Sequence, residues 1–473
     1  MNRTLLLVSA AGLLALAALV VGKPKPPPVT DTSHTVARPG ATRPPPVTLP
    51  LVTSAPADGA LTLSGKLSGA YVQSGPSEVF AWMEVRARPV ESGRRVPVNL
   101  ALVIDRSGSM AGQKLADAKR AAAELVARLT PEDRLAFIDY GTDVRALPSR
   151  LMTEDVRAEL LTVITELQDN GSTNISGGLT EAASALRPHL RQYRVSRTIL
   201  LSDGQPTMGL VKDSELFGLV RSMRNEGITV SALGVGEDFQ ESLMRGMAEQ
   251  GGGFSGFIDD SARLAEVFSR ELDQATSTVA RRVELELQVP ASVRHIEVLG
   301  VPTTREGGVL KVPLYDLAGE QSVRVVAKLT LETGGDSGML PLLDATARYV
   351  DVHRDAPAET ALRLSAEVTT DAERVRANLD KDVRVHATRA LGTQQMLAAA
   401  EAMNQGNREA ARGLLDNARK IFGSSAAALS GELAELDQTE AAYGSASDDD
   451  EVRRESRKLL KKTMKNFGQN NAY

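Results

Sequence analysis

Short apolar runs alternate with stretches of helical spacing between residues 97 and 275. The apolar runs are 98–104, 134–140, 198–201 and 228–235, and the helical stretches are 113–129, 155–167, 176–186, 214–226 and 261–272. Strands that are apolar throughout are typical of parallel sheets with helices on both faces, because neither face of such a strand meets water. The pattern therefore predicts an α/β domain with a mainly parallel sheet.

Strict alternation of apolar and polar residues characterises the segments on either side of this domain. It occurs at 61–64 and 79–85 within residues 58–96, and at 283–289, 309–314, 323–331 and 345–352 within residues 276–358. A period of two is typical of strands with one face in a core and the other in water. We predict an antiparallel β-sandwich, and we hypothesise that both segments form one sandwich into which the α/β domain is inserted.

The last part of the chain is predicted to be helical. Residues 359–443 are rich in alanine and leucine at helical spacing, and residues 394–421, with a break at Gly406, are similar to a single helical hairpin of the tetratricopeptide kind. Residues 444–473 predict one more helix, because an acidic start and a basic continuation suit the helix dipole. Its narrow apolar face favours docking within the protein over a membrane surface.

The amino-terminal residues predict an exported protein. Arg3 precedes a weakly polar to apolar run at residues 4–22, whose length lies between that of a signal peptide and that of a short membrane-spanning helix. Both interpretations of residues 1–22 stay open, a cleaved signal peptide or a membrane anchor, and membrane contact is expected only through residues 4–22 if they are uncleaved. Residues 23–57 contain ten prolines, which predicts an extended or disordered linker that packs no core.

Composition excludes several classes of protein. The net charge of -5 and the even spread of lysine and arginine provide no basic field, so binding to nucleic acid is not expected. The absence of cysteine excludes disulfides, thiol catalysis, thiolate metal sites and a cysteine-linked lipid anchor. The five histidines are scattered and form no paired metal motif, and the glycines at 234–236 and 251–253 predict turns and no nucleotide-binding loop.

Polar side chains gather where the first apolar run of the α/β domain ends. Asp105, Ser107 and Ser109 occupy alternate positions of a turn between that run and the next helix. A carboxylate and two hydroxyls in such a turn can converge on one hard cation. Polar segments at 170–175 and 200–207 belong to the same edge, because ligands gather at the carboxyl ends of strands in an open α/β sheet.

The order, spacing and strand contexts of these segments resemble the von Willebrand factor type A domain and its metal-ion-dependent adhesion site, over about residues 97–275. The resemblance implies a Rossmann-like domain in which a metal ion is held by Asp105, Ser107, Ser109, Thr173 and Asp203. No ligand position is missing, and Ser172, which stands where many members have glycine, removes no oxygen donor. Five oxygen donors suit Mg²⁺ above all, with Mn²⁺ and Ca²⁺ as further candidates.

The resemblance also implies a function. One coordination place stays open to accept an Asp or Glu of a partner protein, so we expect an exported, divalent-cation-dependent protein-binding module for adhesion or assembly. A type A domain among β-rich flanks resembles the heavy chains of inter-alpha-trypsin inhibitors and bacterial exported proteins of that kind, which implies a bacterial cell envelope, periplasmic or secreted. In the family, partner engagement is linked to movement of the helix that leads out of the domain, here residues 261–272.

An enzyme is not expected, because the sequence offers no general base beside Asp105 and no catalytic or organic cofactor-binding residues. The alternative interpretation is a cation-assisted enzyme or a channel-associated subunit of the cell envelope, since some bacterial relatives are described as calcium-activated channel homologues. The chain has no second hydrophobic segment of spanning length after residues 4–22, so it is not expected to form a pore itself.

Overall fold

A computed structural model describes residues 51–56, 59–90, 95–236, 240–258, 260–335 and 338–445, together with residues 451–452, 454–456 and 459. The predicted signal peptide or anchor, most of the predicted linker and most of the last predicted helix lie outside the described residues. Within the described part of the chain, no helix combines the length and the apolar character that crossing a membrane requires.

Strands and helices are numbered in chain order. The strands are β1 (Val52–Ser54), β2 (Leu61–Leu67), β3 (Tyr71–Gln73), β4 (Gly75–Ala87), β5 (Val98–Asp105), β6 (Arg134–Tyr140), β7 (Val144–Leu151), β8 (Val195–Ser202), β9 (Ile228–Val235), β10 (Gly252–Ile258), β11 (Thr278–Gln288), β12 (Val293–Val298), β13 (Thr304–Glu306), β14 (Val309–Pro313), β15 (Leu317–Ala318), β16 (Ser322–Thr333), β17 (Gly338–Asp351) and β18 (Ala356–Thr369). The α-helices are α1 (Gln113–Arg128), α2 (Glu154–Thr165), α3 (Ile175–Leu186), α4 (Asp213–Glu226), α5 (Glu241–Gly251), α6 (Leu264–Thr276), α7 (Ala372–Ala377), α8 (Lys381–Asn404), α9 (Arg408–Gly423) and α10 (Ser430–Ser445).

The α/β segment contains one sheet with the strand order β10-β9-β8-β5-β6-β7. Its strands are parallel, apart from β7, which pairs antiparallel with β6 at the edge. All residues of β5, β8 and β9 are buried, because α1, α2 and α6 cover one face and α3, α4 and α5 cover the other. In β5, Leu102 and Ile104 pack in the apolar core beneath α1, α2 and α6, whereas Ala101 and Val103 pack in the core beneath α3, α4 and α5. The predicted fold class is confirmed.

Two mainly antiparallel sheets pack around a separate core. Their strand orders are β1-β2-β4-β16-β12 and β13-β14-β11-β17-β18-β3. Apolar residues from both sheets alternate into the shared core, as in β2, where every second side chain is buried. Strand β4 lies before the α/β segment and pairs with β16, which lies after it, along the whole of Ser322–Thr333. The α/β domain is therefore inserted between two halves of one sandwich.

The prediction that the helical region begins at residue 359 is wrong, because residues 356–369 form β18 and the sandwich extends beyond 358. The buried side chains of this strand alternate with more exposed ones; they are Thr360, Leu362, Leu364, Ala366 and Val368. Alanine and leucine are common in helices, so their number obscured the period of two. The first helix after the sandwich is α7.

The glycines that predict turns also contribute to strands, which corrects that prediction. Gly234 lies inside β9, and Gly252 and Gly253 begin β10. A Cβ at Gly253 would clash with the carbonyl oxygen of Val230, so glycine permits the two strands to meet here. The sequence does not predict β7 or β10, because neither shows an uninterrupted apolar run.

Helices α8 and α9 form a hairpin, with Gly406 in the left-handed conformation at its turn (φ 76°). Helix α8 also contacts the sandwich, where His386 stacks on Trp82 with ring centroids 5.8 Å apart. Ala387 in the same helix joins a small apolar cluster with Val326 of β16. The helical region is thus packed against the sandwich sheet that carries β4 and β16.

A buried ion pair ties α6 to the central sheet. Arg197 of β8 contacts Glu271 of α6 at 3.3 Å, and the two side chains are 1% and 0% exposed. Ser231 of β9 donates a hydrogen bond to the same carboxylate oxygen of Glu271 at 2.8 Å. The guanidinium of Arg197 also lies 5.5 Å from the ring centroid of Phe254. Glu271 therefore connects α6 to two adjacent strands, β8 and β9, and Arg197 extends this cluster to β10.

We expect Glu271→Ala to lower the free energy of unfolding by about 3–5 kcal/mol, because it leaves the buried charge of Arg197 without its partner. Urea denaturation followed by circular dichroism measures this change. Glu266→Ala is the matched control on the same helix, since Glu266 pairs with Arg270 at the surface, where such pairs contribute about 1 kcal/mol or less. Equal losses in the two variants would contradict a special role for the buried pair.

Candidate metal site

Parallel pairing brings two acidic residues to one edge of the central sheet. Ile104 of β5 is in register with Leu201 of β8, so Asp105 and Ser202 end neighbouring strands side by side. Asp203 follows directly, and neither Asp105 nor Asp203 has any solvent exposure. Ser202 Oγ donates a hydrogen bond to Asp105 Oδ2 at 2.6 Å. The carboxyl ends of β5 and β8 thus create a buried acidic centre.

The turn after β5 folds back over this centre. The backbone N–H of Ser107 donates to Asp105 Oδ1 at 2.8 Å, and the short helical turn Gly108–Met110 follows. The hydroxyl oxygens of Ser107 and Ser109 lie 3.1 Å apart. Ser109 Oγ donates to Asp203 Oδ1 at 2.7 Å. These contacts place the two hydroxyls of the first turn beside the carboxylate that follows β8.

The loop before α3 approaches the same turn closely. The N–H of Gly108 donates to the carbonyl oxygen of Gly171 at 3.2 Å. Gly171 has a φ of 80°, and a Cβ there would clash with Thr142 Oγ1, so both the conformation and the space require glycine. Ser172 N–H donates to Thr142 Oγ1 at 3.0 Å without adopting a positive φ. Serine therefore fits at position 172 without backbone strain.

Thr173 completes the set of candidate ligands. Its side chain is buried, and its N–H donates to Thr207 Oγ1 at 2.9 Å. A Cβ placed on Gly204 would lie 3.6 Å from both Thr173 Oγ1 and Ser109 Oγ, so Gly204 faces the two hydroxyls. The structure therefore brings together, at one edge of the sheet, all five residues that the sequence nominates: Asp105, Ser107, Ser109, Thr173 and Asp203.

The electrostatic environment favours a bound cation. Burial raises the pKa of the Asp105 carboxyl; hydrogen bonds from Ser202 and Ser107 oppose this shift, and the nearby Asp203 carboxylate adds to it. Burial, followed by the Asp105 carboxylate, also raises the pKa of Tyr140 well above its usual value. Two carboxylates without solvent contact are costly unless opposite charge compensates them.

The donor set fits a hard divalent ion. Two carboxylates and three hydroxyls supply only oxygen, which Mg²⁺, Mn²⁺ and Ca²⁺ accept and which suits soft metals poorly. Ser109 is exposed while both carboxylates are buried, so the site opens to solvent on the side of this hydroxyl. Elsewhere in the described residues, no group of three or more histidine, aspartate or glutamate side chains offers a competing metal site.

Two residues that contact the ligand carboxylates are not predicted from the sequence. Ser202 supports Asp105, and Lys114 places its Nζ 2.7 Å from Asp203 Oδ2. Ser202 could have been found only from the register of β5 against β8. Lys114 lies in α1, where a lysine is ordinarily a solvated surface residue.

The fold and the site together define a class of protein. It is an α/β domain with a group of oxygen donors, suited to a cation, at the carboxyl edge of its parallel sheet. Residues 99–270 match the family model described as the von Willebrand factor type A domain. The chain contains a type A domain, and the predicted resemblance is confirmed.

Similar proteins come from bacteria and animals. The chain is 29% identical over 222 residues to protein YfbK of Escherichia coli, which covers 46% of this chain and 38% of that protein. It is 32% identical over 167 residues to inter-alpha-trypsin inhibitor heavy chain H3 of Homo sapiens, which covers 34% of this chain and 19% of that one. The matched region thus spans less than two fifths of either relative.

A solved structure shares the fold over a longer stretch. The von Willebrand factor type A protein from Catenulispora acidiphila superimposes with a TM-score of 0.64 at 18% identity, over 79% of this chain and 89% of that chain. At this level of identity, the likeness shows the fold.

We expect Mg²⁺ to stabilise the chain, because an ion that binds only the folded state adds free energy of unfolding, about 2.7 kcal/mol at a hundredfold excess over the dissociation constant. Thermal unfolding with Mg²⁺ and with EDTA measures the difference. Asp105→Ala should abolish it, whereas Asp155→Ala, which removes an exposed carboxylate of the same domain, should retain it. An equal Mg²⁺ response in both variants would argue against the site.

Proposed function

We propose that the chain is an exported, divalent-cation-dependent protein-binding module, which grips an Asp or Glu of a partner protein through Mg²⁺ held by the five oxygen donors. The observation that carries the proposal is the convergence of two buried carboxylates and three hydroxyls, of which that of Ser109 is exposed to solvent. The matching family supports it, because type A domains typically mediate protein–protein interaction through a metal-ion-dependent adhesion site.

The arrangement favours binding over catalysis. Asp105 and Asp203 accept hydrogen bonds from serine hydroxyls, a backbone N–H and the Lys114 ammonium, and these donors orient the carboxylates without acting as general bases. Type A relatives such as the inter-alpha-trypsin inhibitor heavy chains are generally not enzymes, which supports the same conclusion. A metal ion with an oxygen-rich shell and one open place can accept a carboxylate and hold it.

A rim loop, residues 207–211, adjoins the site. Thr207 N–H and Met208 N–H both donate to the carbonyl oxygen of Thr173, at 3.0 and 3.3 Å. Thr173 N–H donates in return to Thr207 Oγ1 at 2.9 Å. The rim loop is therefore fixed relative to one of the candidate ligands.

The rim loop presents apolar side chains to solvent. Met208, Leu210 and Val211 are 41%, 37% and 50% exposed, and they account for three of the six exposed large apolar residues in the described part of the chain. Leu210 N–H donates to Ser176 Oγ at 2.9 Å, so the backbone beneath these side chains is also held. Exposed apolar side chains on a fixed loop are typical of protein interfaces. We infer that the partner's acidic residue is flanked by apolar ones.

Export to a bacterial cell envelope is part of the proposal. It is supported by the apolar run at residues 4–22 and by the proline-rich residues 23–57, which would separate a membrane segment from the binding module.

A pull-down from bacterial envelope extract, with the immobilised chain, tests the proposal. Because the metal completes the binding site, we expect a partner to be retained in Mg²⁺, released by EDTA, and absent with Asp105→Ala. Asp155→Ala should retain the same partner. Retention of the same proteins in EDTA and by Asp105→Ala would refute a metal-dependent grip.

A separate experiment tests whether the rim loop contributes to binding of the partner isolated in the pull-down. We expect the double variant Met208→Ser and Val211→Ser to weaken partner binding about tenfold or more, since apolar interface residues commonly contribute about 1 kcal/mol or more each. Surface plasmon resonance measures the change, and Mg²⁺ affinity should not alter. Met339→Ser, which removes an exposed methionine from β17 of the sandwich, is the control. Unchanged partner affinity in the double variant would exclude the rim loop from the interface.

A further inference from the structure

Lys114 stands out because its ammonium contacts a carboxylate that the metal ion also requires. Its Nζ lies 2.7 Å from Asp203 Oδ2, and the lysine side chain is 27% exposed whereas that of Asp203 is fully buried. Nζ also lies 3.4 Å from the carbonyl oxygen of Ser109, the residue whose hydroxyl donates to Asp203 Oδ1. Both oxygens of Asp203 are thus hydrogen-bonded, one by a hydroxyl and one by an ammonium.

The fold holds this ammonium in place from several sides. Lys114 is the second residue of α1, which begins directly after the turn that carries Ser107 and Ser109. A Cβ on Gly236, at the end of β9, would lie 3.1 Å from Nζ, so the lysine packs closely against that backbone. The ammonium of Lys114 therefore lies between the first ligand turn, the Asp203 carboxylate after β8 and the backbone that follows β9.

Neighbouring arginines are engaged elsewhere. Arg106, which lies between two candidate ligands, contacts Asp139 Oδ1 at 2.6 Å, and Arg145 contacts Asp139 Oδ2 at 2.7 Å. Their charges are compensated by a carboxylate outside the ligand set. Lys114 differs from them because it pairs with a candidate ligand itself.

We propose that Lys114 is a built-in counter-charge of the metal site, which stabilises Asp203 when no metal is bound and makes the metal-loaded site net positive. The proposal rests on the metal-dependent function described above. Two carboxylates balance a divalent ion, so the additional ammonium leaves one positive charge beside two buried carboxylates. Such a centre binds its metal more weakly and attracts a partner's carboxylate more strongly than a neutral one.

The test is titration of the full chain with Mg²⁺ alone by isothermal calorimetry, at constant pH and low salt. We expect Lys114→Met to bind Mg²⁺ about tenfold more tightly, because removing a nearby positive charge favours a second cation. Lys114→Arg, which keeps the charge, should remain within about threefold of the original chain. Lys119→Met is the matched control on α1, since Lys119 Nζ contacts the carbonyl oxygen of Thr165 instead of the site.

Thermal unfolding supplies the second readout and guards against a variant that fails to fold. In EDTA, Lys114→Met should be less stable than the original chain, because the buried Asp203 carboxylate loses its counter-charge. Saturating Mg²⁺ should remove most of that difference, which a simple loss of packing would not allow.

Each outcome is decisive. Unchanged or weaker Mg²⁺ binding by Lys114→Met overturns the proposal, and so does Lys114→Arg binding as tightly as Lys114→Met, because shape and not charge would then be responsible. Failure of the original chain to bind Mg²⁺ would instead overturn the proposed function. The two results are distinguishable in one series of titrations.

Discussion

Two carboxylates buried at the ends of neighbouring parallel strands impose the main constraint on this molecule. Asp105 and Asp203 have no contact with solvent, and their charges repel each other. The surrounding structure compensates for this cost: Ser202 supports one carboxylate, Ser109 and Lys114 support the other, and the turn after β5 supplies a backbone N–H. The need for compensating charge is the physical reason why this group of oxygen donors favours a bound cation.

The α/β domain and the first turn of candidate ligands could be predicted because the information is local, whereas Thr173 and Asp203 are nominated through the resemblance to the type A domain. An apolar run followed by Asp105, Ser107 and Ser109 contains both the strand end and the donors. Ser202 and Lys114 could not be found in this way, since their roles depend on strand register and on the direction of a helical side chain. The prediction of a helix was wrong at β18, because it relied on the frequency of alanine and leucine. The residues of this segment are buried alternately, as in a strand of a sheet.

The connections of the domain place its last helix between the metal edge and the sandwich. Helix α6 ends at Thr276, and β11 of the sandwich begins at Thr278, so Ser277 alone separates them. The ion pair of Glu271 with Arg197 fixes α6 against the central sheet, and both side chains are buried. A shift of α6 relative to the central sheet would have to break that pair, which makes the pair a barrier to such a movement.

We propose that Asp105, Ser107, Ser109, Thr173 and Asp203 together hold one divalent ion. Anomalous diffraction from crystals of the chain grown with Mn²⁺ tests it most directly, because the signal locates the ion without assumptions about its ligands. The account predicts one strong anomalous peak among these five side chains, with Lys114 still beside Asp203. Strong Mn²⁺ peaks elsewhere on the chain, with none at this edge of the sheet, would contradict it.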